Sequence, residues 1–94
     1  MGTELQKVVI TVIGVDRVGI VASISSILAE SGANIIDISQ TIMGDLFAMV
    51  MMIDISKASV EFKALKERLE QEGSRLGVEV KAQHEQIFRY MHRV

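Results

Sequence analysis

There is no cysteine among the 94 residues, and there are only two histidines. Neither a thiol pair nor a Cys/His cluster is available, which excludes disulfide staples and a structural zinc. Aromatic residues are scarce, one Tyr and three Phe, too few for platforms on which nucleobases stack. Positive charge is not in excess: ten Lys and Arg face twelve Asp and Glu, for a net charge of −2. Nothing here neutralises a phosphate backbone, so nucleic acid is not an expected partner. The longest unbroken apolar run, residues 46–53, is far short of the roughly 20 residues a membrane-spanning helix needs. The N-terminus has Glu4 beside Lys7 and no small-residue cleavage site, and Gln6 stands where an N-myristoylation signal has Ser or Thr. These absences predict a cytoplasmic chain that neither crosses nor is anchored to a membrane.

Apolar side chains, in contrast, make up 49% of the chain. The length predicts a single domain over residues 1–94, burying a little over roughly 60% of its unfolded surface. Stability must come from that burial. An apolar share this high also predicts that some surface is covered by another copy, most simply in a homodimer.

The periodicities alternate between strand and helix. Residues 7–14 read as a strand, with Val8, Ile10 and Val12 on one face and Val9, Thr11 and Ile13 on the other. Residues 19–31 read as a helix with Ile20, Ile24, Ile27 and Leu28 as its buried stripe, ended by Gly32. Strands at 34–43 and 46–55 flank the turn signal Gly44-Asp45. A second helix, capped by Ser56 or Ser59, carries Phe62, Leu65, Leu69 and Leu76, passes through Gly73 and stops at Gly77. Residues 78–83 read as a fourth strand; Ile87, Phe88 and Met91 then suggest a short helical tail that packs back on the body. The core spans 7–84 and the tail 85–94.

The order βαββαβ is that of an α+β, ferredoxin-like fold: a four-stranded antiparallel sheet with two helices on one face. A βαβα arrangement is disfavoured because Gly44-Asp45 leaves no room for a crossover. The third strand is apolar on both faces, and the first nearly so. A sheet with one wet face should alternate, so a second copy is expected on the face the helices leave bare.

The candidate chemistry lies in Gly14-Val15-Asp16-Arg17-Val18-Gly19. A strand turning tightly into a helix leaves the first helical N–H groups unpaired, and with an adjacent arginine it is a small anion site. It is not a P-loop, since Ile20-Val21 stands where Lys-Ser/Thr is required, and the G-x-G-x-x-G spacing is absent. Asp16 is a candidate helix cap, and Gly19 allows close backbone approach. The bland reading, a capping Asp16 and a solvated Arg17, fits the spacing equally well. Asn34 and Asp37, heading an otherwise apolar strand, are turn and wet-face residues or a second set of ligand contacts. The methionines at 43, 49, 51 and 52 read mainly as core or interface. His84-Glu85 lacks a second histidine at metalloprotease spacing, and His92 has no evident partner. No nucleophile–base pair or paired carboxylates can be assembled, so neither an enzyme nor a bound metal or cofactor is expected.

The turn, read with Ile20-Val21-Ala22, resembles the opening of ACT domains, whose first strand runs into Asp-Arg-x-Gly-(Ile/Leu/Val); Ser31-Gly32-Ala33-Asn34-Ile35-Ile36-Asp37 resembles their entry into strand two. The ending Ile87-Phe88-Arg89-Tyr90-Met91-His92 is similar to that of small ACT proteins of uncharacterised function that consist of this domain alone. The resemblance covers almost the whole chain from Lys7. It implies a regulatory module that binds an amino acid or similar ligand between two copies and signals to a separate protein, since no enzyme is attached. The implied site is Asp16, Arg17, Val18, Gly19 and Ile20, with Asn34, Ile35 and Asp37 as its other wall. The alternative is a ligand-free interaction module docking through its apolar sheet face. A phosphatase of the acylphosphatase kind shares the topology, but its glycine-rich loop and following Phe/Tyr-Arg are absent.

Overall fold

The computed structural model describes residues 5–91. Glu4, His92 and the end of the expected 85–94 tail, which entered the sequence reading, lie outside the described residues. The elements follow the order β1 (Lys7–Val15), α1 (Ile20–Ser31), β2 (Asn34–Met43), β3 (Leu46–Asp54), α2 (Phe62–Leu76), β4 (Val78–His84) and α3 (Glu85–Met91). The sheet order is β2-β3-β1-β4 and every pairing is antiparallel. This is the ferredoxin-like arrangement, with the short terminal helix added.

The core follows from strand alternation and helical periodicity. On β1, Val8, Ile10 and Val12 lie opposite Ile53, Met51 and Met49 of β3, and β4 brings Val80 and Ala82 to the same layer. The expected stripe of α1, Ile20, Ile24, Ile27 and Leu28, is buried against them, as are Leu65 and Leu69 of α2. Phe62 and Leu76 are half-buried at the ends of α2. Gly73 lies where α2 meets β4: a Cβ there would sit 2.5 Å from Val80 Cγ2. Its place inside a helical pattern is therefore set by close approach, not by helix ending.

Both expected helix caps are corrected. The N-cap of α1 is Gly19, at φ 92, and it makes no side-chain cap bond. Asp16 sits three residues too early, held in the turn by its N–H donating to the Asp45 carbonyl at 2.8 Å. Helix α2 starts at Phe62 after Glu61, again without a side-chain cap. Ser56 instead donates its hydroxyl to Asp54 Oδ2 at 3.0 Å, and Ser59 donates N–H and Oγ–H to the Ser31 carbonyl at 2.8 and 3.3 Å. Both serines tie the loop down before the helix begins.

The face turned away from α1 and α2 is unevenly covered. Helix α3 packs on β1 and β4, and Val9, which points to that side, is only 3% exposed. Farther along the same face, Ile13, Val15 and Val50 are 48%, 51% and 45% exposed. Strand β2 differs again. It is an edge strand, and all ten of its residues are exposed. No helix of the described residues is long and apolar enough to cross a membrane.

Candidate functional site

The β1–α1 turn is held from two sides. Its hydrogen bond from Asp16 to Asp45 fastens it to the β2–β3 hairpin. On the other side the Arg17 guanidinium lies against Gly77, where a Cβ would meet Nη2 at 3.5 Å and Cζ at 3.6 Å. Gly77 is the C-cap of α2, so Arg17 places its cation at the negative end of that helix. Between these anchors, Val18 is fully exposed and Gly19 has nothing within 4 Å of its absent Cβ. The first helical bond runs from the Ser23 N–H to the Gly19 carbonyl at 2.9 Å, so the N–H groups of Ile20, Val21 and Ala22 precede the helical ladder. The sequence places an arginine and a helix start together; the structure aims the helix start at solvent and the arginine at a neighbouring helix.

Asn34, Ile35 and Asp37 lie elsewhere. Asn34 pairs with Asp54 and Met43 with Leu46, while Val15, the entry to the turn, also pairs with Leu46. The two groups of predicted site residues therefore sit at opposite ends of the sheet. Along β3 the step from Leu46 to Asp54 spans those ends, about 26 Å at roughly 3.3 Å per residue. Within one chain they do not meet. Asp37 is exposed and accepts a hydrogen bond from the Ile38 N–H at 2.8 Å, next to an irregularity in register between Ile35 and Asp37.

Asn34 instead lines a cavity of about 330 Å³ with Leu5, Gly32, Asp54, Ser56 and Lys57. Asp54 Oδ1 accepts from the N–H groups of Ser56 and Gln6, both at 3.0 Å. These donors, the Ser56 bond first, hold its carboxyl below the usual carboxylate value. Sequence reasoning passed over Asp54 and Lys57 and took Ser56 only as a helix cap; the Asp-x-Ser spacing that closes such a local carboxylate turn was the available signal. Among the described residues, no three His, Asp or Glu converge as metal ligands.

Sheet order, turn and helix placement define a ferredoxin-like module built around the β1–α1 turn. Residues 6–83 match the family model described as ACT domain, and the chain belongs to that family. It is 61% identical over 90 residues to a UPF0237 protein of Methanocaldococcus jannaschii, covering 96% of this chain and 100% of the relative. Among solved structures it resembles an ACT domain protein from Streptococcus pneumoniae, with 39% identity, a TM-score of 0.77, and coverage of 90% of this chain and 96% of that one. It also resembles the regulatory subunit of aspartate kinase from Thermus thermophilus, in a ligand-free form. There the identity is 26% and the TM-score 0.65, covering 85% of this chain and 52% of that one.

Proposed function

We propose that this protein is a regulatory ligand-binding module whose site is completed by two copies of the chain. The 16–20 turn of one copy and Asn34, Ile35 and Asp37 of the other take an amino acid or a similar small anion. The observation that carries this reading is β2, exposed along its whole length at the sheet edge, with one half of the site at each end. Antiparallel pairing of two such edges about a two-fold axis reverses one strand against the other. The Asn34 end of one copy then lies beside the Met43 end of its partner, where the turn is. An uncovered edge without lysine or proline also favours such pairing.

In that arrangement the ligand's carboxylate sits on the N–H groups of Val18, Gly19 and Ile20. Its ammonium meets Asp16 of the same copy, or Asp37 or the Asn34 side-chain oxygen of the other. Arg17 stays docked on the end of α2 and fixes the turn's position. Charge–dipole attraction at a helix start contributes roughly 0.3–1 kcal/mol, so the ammonium contacts supply the remainder. Occupancy is signalled through the different affinity of ligand for paired and unpaired chains, and the receiver is a separate protein. The likeness to the regulatory subunit of aspartate kinase supports the regulatory reading.

The test is a melting-temperature panel of the twenty amino acids at millimolar concentration. A ligand at 100 times its Kd stabilises by about 2.7 kcal/mol, and each kcal/mol moves a domain of this size by about 4–8 °C. A selective rise of that order, lost in Asp16→Ala, is the expected result. A flat panel overturns the ligand reading. It leaves the second reading, a docking module, which the exposed Ile13, Val15 and Val50 favour.

A further inference from the structure

We infer that the apolar sheet face is an interface between copies of this chain, in which the α3 of each copy covers the half-face its partner leaves bare. This does not rest on the ligand reading. Strand β1 spans nine residues, about 30 Å at roughly 3.3 Å per residue. Helix α3 has seven residues, so it is about 10 Å long and about as wide. It therefore covers part of the face, the part around Val9, and leaves Ile13, Val15, Leu46 and Val50 open.

A two-fold axis running across the strands superposes the covered end of one sheet on the bare end of the other. The two α3 helices then lie side by side and form one layer between two sheets. The outer side of α3 suits this role. Ile87 and Tyr90, spaced i and i+3, are 52% and 76% exposed, whereas Glu85 and Phe88 are half-buried. Charge agrees as well. On β1 and β3 the bare half carries no ionised group, and Glu79 and Lys81, of opposite sign, share that face only on the edge strand β4. Arg89 is already paired with Glu85 at 3.0 Å, so closure over the two central strands buries no lone charge.

The absence of cysteine makes the arrangement directly testable by cross-linking. Ile13→Cys and Tyr90→Cys proteins are prepared separately, mixed, and treated with a short bis-maleimide. The expected product joins one Ile13→Cys chain to one Tyr90→Cys chain and exceeds either homodimeric product. Dominant Tyr90→Cys homodimer, dominant Ile13→Cys homodimer, or no cross-link overturns the proposal. In parallel, sedimentation equilibrium of Val50→Glu, an exposed position outside β2, is expected to show the particle mass fall by half with cooperative melting retained. An unchanged mass overturns the proposal too.

Discussion

At the scale of single residues, two glycines show that identical side chains answer different demands. Gly19 has φ 92 with open space around it, so Gly19→Ala meets backbone strain alone, about 1–2 kcal/mol. Gly73 has no such backbone requirement, but an added Cβ would lie 2.5 Å from Val80 Cγ2 and 3.0 Å from the Val78 carbonyl. Gly73→Ala gains about 1 kcal/mol of helix propensity and is still expected to destabilise, because overpacking costs about 1–3 kcal/mol and one contact is with backbone. Thermal denaturation of both variants checks this; a Gly73→Ala protein that melts higher than wild type would contradict the close approach. Asp54 offers a test by pH. Its carboxyl is held below the ordinary value by hydrogen bonds, so its contribution is present above the unfolded-state pKa and lost as pH falls through the folded one. The stability gap between wild type and Asp54→Asn is expected to be largest near neutrality and to narrow below about pH 4. A gap constant down to pH 2 in urea titrations would rule the carboxylate out as its source.

At the scale of elements, most of the fold was legible. The stripe Ile20, Ile24, Ile27 and Leu28 and the helix-ending Gly32 and Gly77 bounded α1 and α2 because periodicity and C-cap chemistry are local properties. The N-terminal caps were not legible. Ser56 and Ser59 look like caps, yet their hydrogen bonds go to Asp54 and to the Ser31 carbonyl, and tertiary partners are invisible to spacing. The full exposure of β2 was also hidden, because an apolar strand is recognisable as an uncovered edge only once the two helices are seen to cover the other three strands. This contrast can be measured. Ile38 lies opposite Met51 on an uncovered edge, whereas Ile53 is 0% exposed. Ile38→Lys is expected to change the chain's own stability by no more than about 0.5 kcal/mol, and Ile53→Ala to cost about 2–5 kcal/mol. Chemical denaturation at low protein concentration separates the two, and comparable losses would place Ile38 in the core.

At the scale of the whole molecule, the question is why the two site segments, both picked out in sequence, fail to meet. Local chemistry identified the 16–20 turn and Asn34 to Asp37, but antiparallel pairing sends them to opposite ends of β3. In the proposed dimer a second copy joins them, and a symmetric pair would hold two sites, each using the turn of one chain and the β2 head of the other. This has a consequence that a site within one chain cannot imitate. Asp16→Ala and Asn34→Ala each damage every site in their own homodimer. In a mixed pair, one site collects both lesions and the other collects neither. If chains exchange freely, half the pairs are mixed, so about a quarter of all sites regain wild-type structure. Mixing the two inactive proteins is therefore expected to restore binding of the ligand found in the melting panel. Calorimetry should show wild-type affinity at about one quarter of the wild-type stoichiometry. Ile38→Lys, introduced into both partners, should abolish the restoration by blocking the shared edge. Restoration that persists with the blocked edge would assign the pairing to another surface. No restoration, with exchange demonstrated independently, would confine the site to a single chain.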